Sequence, residues 1–105
     1  MTAIRLTKPT LAVLDILIAS TDDNPPWGLS ICHEADLGPG TVYPILDRLK
    51  TLGWVTTRVE EEPHPGRPPR MYYTLTGAGR AEAGASIAAR SARRRGALRF
   101  TGGMA

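Results

Sequence analysis

The sequence predicts a mainly helical domain with a two-stranded hairpin inserted before its last helix. Three observations predict it. Apolar residues recur at helical spacing in three segments between residues 11 and 52, each closed by turn formers. At Gly53 the chemistry switches to two β-rich runs joined by a proline-rich loop. After Thr76 it returns to an alanine-rich helical stretch. The chain has 105 residues, 42% of them hydrophobic, which is one domain of ordinary globular composition. Only 6% are aromatic, so the core must rest on Leu, Ile, Val and Ala.

The first periodic segment, Leu11–Ser20, predicts the first helix. Thr7 is placed to cap it and Pro9 is tolerable in its first turn. Leu11, Leu14 and Ile18 share a stripe with Leu17 beside it, while Val13 and Ile16 lie off it. A helix apolar on more than one side is either central to the core or faces a partner. The run Thr21–Pro26 ends it. The second helix lies within Trp27–Asp36, with Ser30 as N-cap or Gly28 preceding a slightly longer helix.

The third helix is predicted from Pro39 to Leu52. Val42, Ile45, Leu46 and Leu49 form its core stripe, spaced i, i+3, i+4, i+7. The opposite face holds Gly40, Pro44, Asp47 and Thr51, flanked by Thr41 and Arg48 on one side and by Tyr43 and Lys50 on the other. If Pro39 is the first helical residue, Pro44 removes one ladder bond and kinks the first turns; if the helix begins near Thr41 the cost is small. Gly53 suits the C-terminal cap. Trp54–Glu60 and Met71–Thr76 read as strands, with Tyr73 and Leu75 on one face and Tyr72 and Thr74 on the other. Residues 61–70 form the hairpin tip. Thr76 is placed to cap a last helix over Ala78–Arg95, whose only large apolar residue before the arginines is Ile87. Residues 96–105 carry no clear pattern and read as frayed. The order helix, helix, turn, helix, strand, wing, strand, helix is that of a winged helix-turn-helix.

Charge is unevenly spread. From Gly77 onward six arginines face the single acid Glu82, a net +5, whereas residues 1–76 hold seven bases and nine acids, a net −2. The basic pI therefore belongs to the tail and is no proof of a DNA-binding face on the folded part.

Three separated motifs carry a family resemblance. They are Gly40-Thr-Val-Tyr-Pro-Ile-Leu-Asp-Arg-Leu49, then Gly53-Trp54-Val55, then Gly66-Arg-Pro-Pro-Arg70 with Tyr72-Tyr-Thr-Leu-Thr76 before Gly79. Gly28-Leu29 before the second helix fits as well. Over about residues 7–80 the chain resembles the PadR family of transcriptional regulators, in its small subfamily with a single C-terminal helix. The resemblance implies a winged helix-turn-helix over 1–76 and a C-terminal dimerisation helix with a basic tail over 77–105. It implies a two-fold dimer that binds a palindromic operator in double-stranded DNA, usually represses, and in some members is released by a small-molecule effector. It places the third helix in the major groove and the wing along the backbone or minor groove.

The residue chemistry nominates particular contacts. A bare helix start at Gly38–Thr41 suits a phosphate. Thr41, Tyr43 and Arg48 are the expected DNA contacts on the third helix, with Pro44 in apolar contact and Lys50 on the backbone. Tyr43 is open to a second reading, packing inside the domain, and Arg48 to an ion pair with Asp47 or Glu34. In the wing, Pro68-Pro69 should hold Arg67 and Arg70 extended toward a narrow groove, although Glu60, Glu61 and Glu62 on the other arm either orient these arginines or weaken binding. The alternative is a solvated hairpin tip. Lys8 and Arg5 precede the first helix as further phosphate contacts. Arg90, Arg93 and Arg94 share a face and either steer DNA or form a solvated tail. Ala81, Gly84, Ala85, Ala88 and Ala92 offer close helix approach but little buried area, so the first helix is expected to complete the dimer interface.

Other classes are not expected. No nucleophile with a base, paired carboxylates or phosphate loop is present, so the protein reads as no enzyme. Cys32 is the only cysteine, beside His33 in a short helix where the two point apart, so no metal or cofactor is expected and Cys32 reads as buried core. No apolar run approaches the ~18 residues of a membrane helix, and the chain reads as cytoplasmic. The alternative function is a winged-helix protein–protein module without DNA binding, suggested by the net −2 of residues 1–76 and the acidic wing.

Overall fold

The computed structural model describes residues 4–62 and 64–103, with side chains through Gly96. Four helices and one hairpin follow in the order α1 (Lys8–Ala19), α2 (Gly28–Ala35), α3 (Pro39–Thr51), β1 (Val55–Val59), β2 (Met71–Leu75) and α4 (Gly77–Gly103). The chain is a winged helix-turn-helix with a long C-terminal helix.

Thr7 caps α1 as its sequence position suggests: its Oγ1 accepts the Thr10 N–H at 3.3 Å, and Pro9 sits within the first turn. The buried stripe differs from the expected one. Val13, Leu14 and Leu17 are fully buried with Thr10 beside them, whereas Leu11, Ile16 and Ile18 are only half-buried. Leu14 and Leu17 fit either stripe, and packing against α2 and α3 turns the helix toward Val13.

α2 starts at Gly28, so Ser30 is its third residue and not its N-cap. The Ser30 hydroxyl reaches back, accepting the Trp27 N–H at 2.9 Å and donating to the Trp27 carbonyl at 2.8 Å. Asp36 ends the helix in the left-handed region at φ 57°. Cys32 is buried while His33 is exposed.

α3 begins at Pro39, the first of the two alternatives, and Pro44 lies inside it. Pro44 has no N–H to give the Gly40 carbonyl. That lost bond falls on the exposed side, where solvent can replace it. Val42, Ile45, Leu46 and Leu49 are all buried, as their spacing requires. Gly53 then reverses the chain at φ 77°, which favours glycine.

The strands are antiparallel with Val55 opposite Leu75, Thr57 opposite Tyr73 and Val59 opposite Met71. Both ends are trimmed relative to the sequence reading, since Trp54 and Thr76 belong to the turns. The segment before α2 lies against the outer edge of β2: Trp27 bridges Tyr72, and the Tyr73 N–H donates to the Pro26 carbonyl at 2.9 Å. The hairpin is thereby fastened to the helical unit at the start of α2.

Thr76 holds the start of α4. Its hydroxyl accepts the Gly79 N–H at 2.8 Å and donates to the Gly53 carbonyl at 2.9 Å, and Arg80 reaches the Ile18 carbonyl at 3.1 Å. Among the residues with described side chains, Ala83 is the last fully buried one of α4. The helix runs eight residues past the expected end at Arg95, through the stretch read as frayed. Met104 and Ala105, like Pro63 in the hairpin tip, lie outside the described residues. At ~1.5 Å per residue α4 is about 40 Å long, which accounts for the 63 × 26 × 24 Å shape. Gly84, Ala85, Ala88 and Ala92 are exposed along it.

Candidate nucleic-acid interface

Two surfaces meet beside Tyr43. The first is the outward face of α3. Gly38, Pro39, Gly40 and Thr41 are exposed, and no side chain caps the helix start. Pro44, Asp47, Arg48 and Lys50 are exposed along the same helix. Among the described residues Arg48 makes no ion pair, so neither Asp47 nor Glu34 engages it. The side chains of Thr41, Arg48 and Lys50 keep their hydrogen-bonding capacity for another molecule.

Tyr43 lies between the two readings of it. Its ring is half-buried, and its hydroxyl end rests on Gly28 so closely that a Cβ at that position would overlap it. A side chain at position 28 would therefore displace the Tyr43 ring. Tyr43 and Asp47 also neighbour Tyr73, whose phenol is pushed above its ordinary value, first by burial and then by these two groups.

The second surface is the wing. A groove of about 450 Å³ is lined by Gly28, Leu29 and Tyr43 of the helical unit and by Arg67, Pro68 and Arg70 of the wing, together with Trp27 and Met71. Tyr43, Arg67 and Arg70 are thus brought together. Lys8, at the start of α1, is exposed and does not line this groove. Arg5 lines a separate hollow with Arg90 and Arg93 of α4.

The wing arginines are not extended, contrary to the sequence expectation. Arg67 turns back across the hairpin and grips Glu60 with both terminal nitrogens, Nη1 to Oε1 at 3.0 Å and Nη2 to Oε2 at 3.1 Å, and Nη1 also donates to the Pro68 carbonyl at 3.2 Å. Arg70 lays its guanidinium over the Trp27 ring at 4.0 Å. Trp27 meets Tyr72 edge to face at 6.2 Å, and the Arg58 guanidinium lies over the Tyr72 ring at 5.4 Å. Charge and π attraction over a short hairpin outweigh the stiffness of Pro68-Pro69. Arg67 holds the Glu60 carboxyl below its ordinary value against the opposing effect of desolvation, and Glu60 raises Arg67 in turn.

Trp27 is the residue that sequence reasoning missed. The sequence gives it no role beyond the first residue of the segment that holds α2. Its place as a large aromatic directly after Pro25-Pro26 is the available signal.

The sequence profile described as the Transcriptional regulator PadR-like family matches residues 19–85. The chain belongs to the PadR-like family of transcriptional regulators. Among solved structures it is similar to a PadR family transcription regulator from hypervirulent Clostridium difficile R20291, at 19% identity and TM-score 0.69 over 90% of this chain and 98% of that one. It is similar to a PadR-like transcription factor from Bacteroides fragilis at 28% identity and TM-score 0.64, over 89% of this chain and 91% of the other. It also resembles the overoxidized AbfR bound to DNA, at 29% identity and TM-score 0.63, over 83% of this chain and 59% of that one. No curated protein matches the sequence. Family and fold are those of transcription regulators. Among the described residues no helix is long and apolar enough to cross a membrane.

Proposed function

We propose that this PadR-like protein is a sequence-specific DNA-binding regulator, with α3 in the major groove and the wing over the adjacent backbone. One observation carries the reading: the exposed polar face of α3 runs through Tyr43 into a groove that Arg67 and Arg70 also line. Thr41 and the bare start of α3 would meet a phosphate, as backbone N–H groups and helix dipole favour. Tyr43 would hydrogen-bond a phosphate, Pro44 pack on a sugar or thymine methyl, and Arg48 and Lys50 follow the backbone. Lys8 would add a phosphate contact from the start of α1.

A two-fold dimer on a palindromic operator is the assembly that fits. Gly84, Ala85, Ala88 and Ala92 of α4 are exposed and unburied by the chain's own fold, and Leu11, Ile16 and Ile18 of α1 are left half-buried. Repression, and release by a small effector, complete the proposal on the strength of the family.

The test is selection of genomic DNA by the purified protein, followed by titration of the recovered site. Half-sites about 34 Å apart support the dimer. Tyr43→Ala should abolish operator shifts while leaving thermal unfolding cooperative. Retention of operator binding by that variant, or failure of the wild type to select any site, contradicts the reading. The neutralised Arg67 favours one second reading, a winged-helix protein–protein module, which a stable protein partner with no DNA retained would support.

A further inference from the structure

We infer that Glu60 is a specificity-determining residue that restrains Arg67 from indiscriminate phosphate binding. The inference rests on the DNA-binding reading above and concerns how the wing discriminates between sites.

The hairpin carries three acids on one arm, and they are not equivalent. Glu61 and Glu62 are exposed, with no ion pair among the described residues. Glu60 differs in backbone and side chain. Its N–H donates to the Arg70 carbonyl at 2.8 Å, continuing the ladder one step past the Val59–Met71 pair. Its side chain is only 13% exposed and takes both prongs of Arg67, which is itself 29% exposed. The carboxylate is thus fixed by the strands, and it fixes the guanidinium.

A guanidinium has five N–H donors. Three of Arg67's are engaged, two by Glu60 and one by the Pro68 carbonyl. The Nε–H and one Nη2 hydrogen remain, on a guanidinium held in place by the other three, and Arg67 lines the groove shared with Tyr43. Two consequences follow for a duplex. The pair has no net charge, so Arg67 contributes little to the counterion release that drives sequence-independent binding. The remaining donors are rigidly placed, so they reward only a duplex whose groove or backbone meets them.

The experiment compares wild type, Glu60→Gln and Glu61→Gln on the selected operator and on a duplex of unrelated sequence, across a series of salt concentrations. Both substitutions remove one negative charge from the same arm, but only the first releases Arg67. Glu60→Gln should bind the unrelated duplex about three-fold or more tighter, with a salt slope steeper by about 0.9, the increment for one added phosphate contact. Its operator affinity should change less than its affinity for the unrelated duplex, so discrimination narrows. Glu61→Gln should leave the slope unchanged. Adding Arg67→Ala to Glu60→Gln should erase the gain. If Glu60→Gln does not fold, Glu60→Asp and Glu61→Asp give a comparison with the charge kept on both sides: each is one methylene shorter, and only the first breaks the two-pronged contact. Equal behaviour of the Glu60 and Glu61 variants, or an unchanged slope and affinity in Glu60→Gln, overturns the inference while wild-type operator binding stands. A wild type that selects no DNA overturns the functional reading itself.

Discussion

The outward face of α3 and the wing both carry cations, but they hold them differently. Arg48 and Lys50 are exposed and make no ion pair among the described residues, whereas Arg67 is locked to Glu60 and Arg70 is stacked on Trp27. Cations left open contribute attraction to any polyanion, and cations held in place contribute geometry. On the DNA-binding reading proposed above, the open cations of α3 supply attraction that does not depend on sequence, and the held cations of the hairpin add discrimination.

The sharpest way to break that division is to remove the open cations. Arg48→Ala with Lys50→Ala should lower the salt slope of operator binding by roughly 2, about 0.9 per lost phosphate contact, and weaken binding more than ten-fold at low salt. An unchanged slope in a salt titration would contradict the role given to α3. Next in size is the joint between the two surfaces. Gly28→Ala forces the Tyr43 ring off its seat, so operator affinity should fall about ten-fold with a cost of about 1–3 kcal/mol, the range of overpacking. Parallel DNA titration and urea unfolding check both numbers.

Two smaller effects probe the wing alone. Trp27→Leu removes the ring beneath Arg70, and loss of the cation–π contact should cost about 0.5–1 kcal/mol in urea unfolding, besides any packing loss. It should also relax discrimination between operator and unrelated DNA. Acid provides the last test. Arg67 lowers the Glu60 carboxyl below its ordinary value of 4.5, so the unfolded chain takes up that proton first as pH falls. The contribution of the pair is therefore fully present above the ordinary carboxylate value and is lost as pH falls through the lowered one. The stability difference between wild type and Glu60→Gln should be flat at neutral pH and shrink only below that ordinary value, as read from urea midpoints across pH.

Much of this architecture was legible in the residues. The α3 stripe of Val42, Ile45, Leu46 and Leu49, the glycine turn at Gly53, the Thr7 and Thr76 caps and the hairpin faces all follow from spacing and local chemistry. These features depend on neighbours within a few positions, which a sequence displays directly. What it does not display is contact across the fold. The choice between two stripes on α1 depends on what packs against it. The wing arginines were expected to extend because Pro68-Pro69 is stiff, but Glu60, seven residues from Arg67, and Trp27, forty-three from Arg70, decide their direction. The extent of α4 past Arg95 was missed because glycine and a lack of apolar pattern argue locally against a helix. The exposed α3 residues proposed for DNA were visible as a face opposite the core stripe, while their junction with the wing through Tyr43 and Gly28 required the tertiary structure.

The most direct test is residue-resolved NMR of the protein on addition of its selected operator, following backbone amides and arginine side-chain N–H groups. The account predicts the largest shifts at Thr41, Tyr43 and Arg48 on α3, together with the Arg67 and Arg70 side chains, at one common stoichiometry. Shifts concentrated on Arg90, Arg93 and Arg94 of α4, with the α3 face and the wing unmoved, would contradict it.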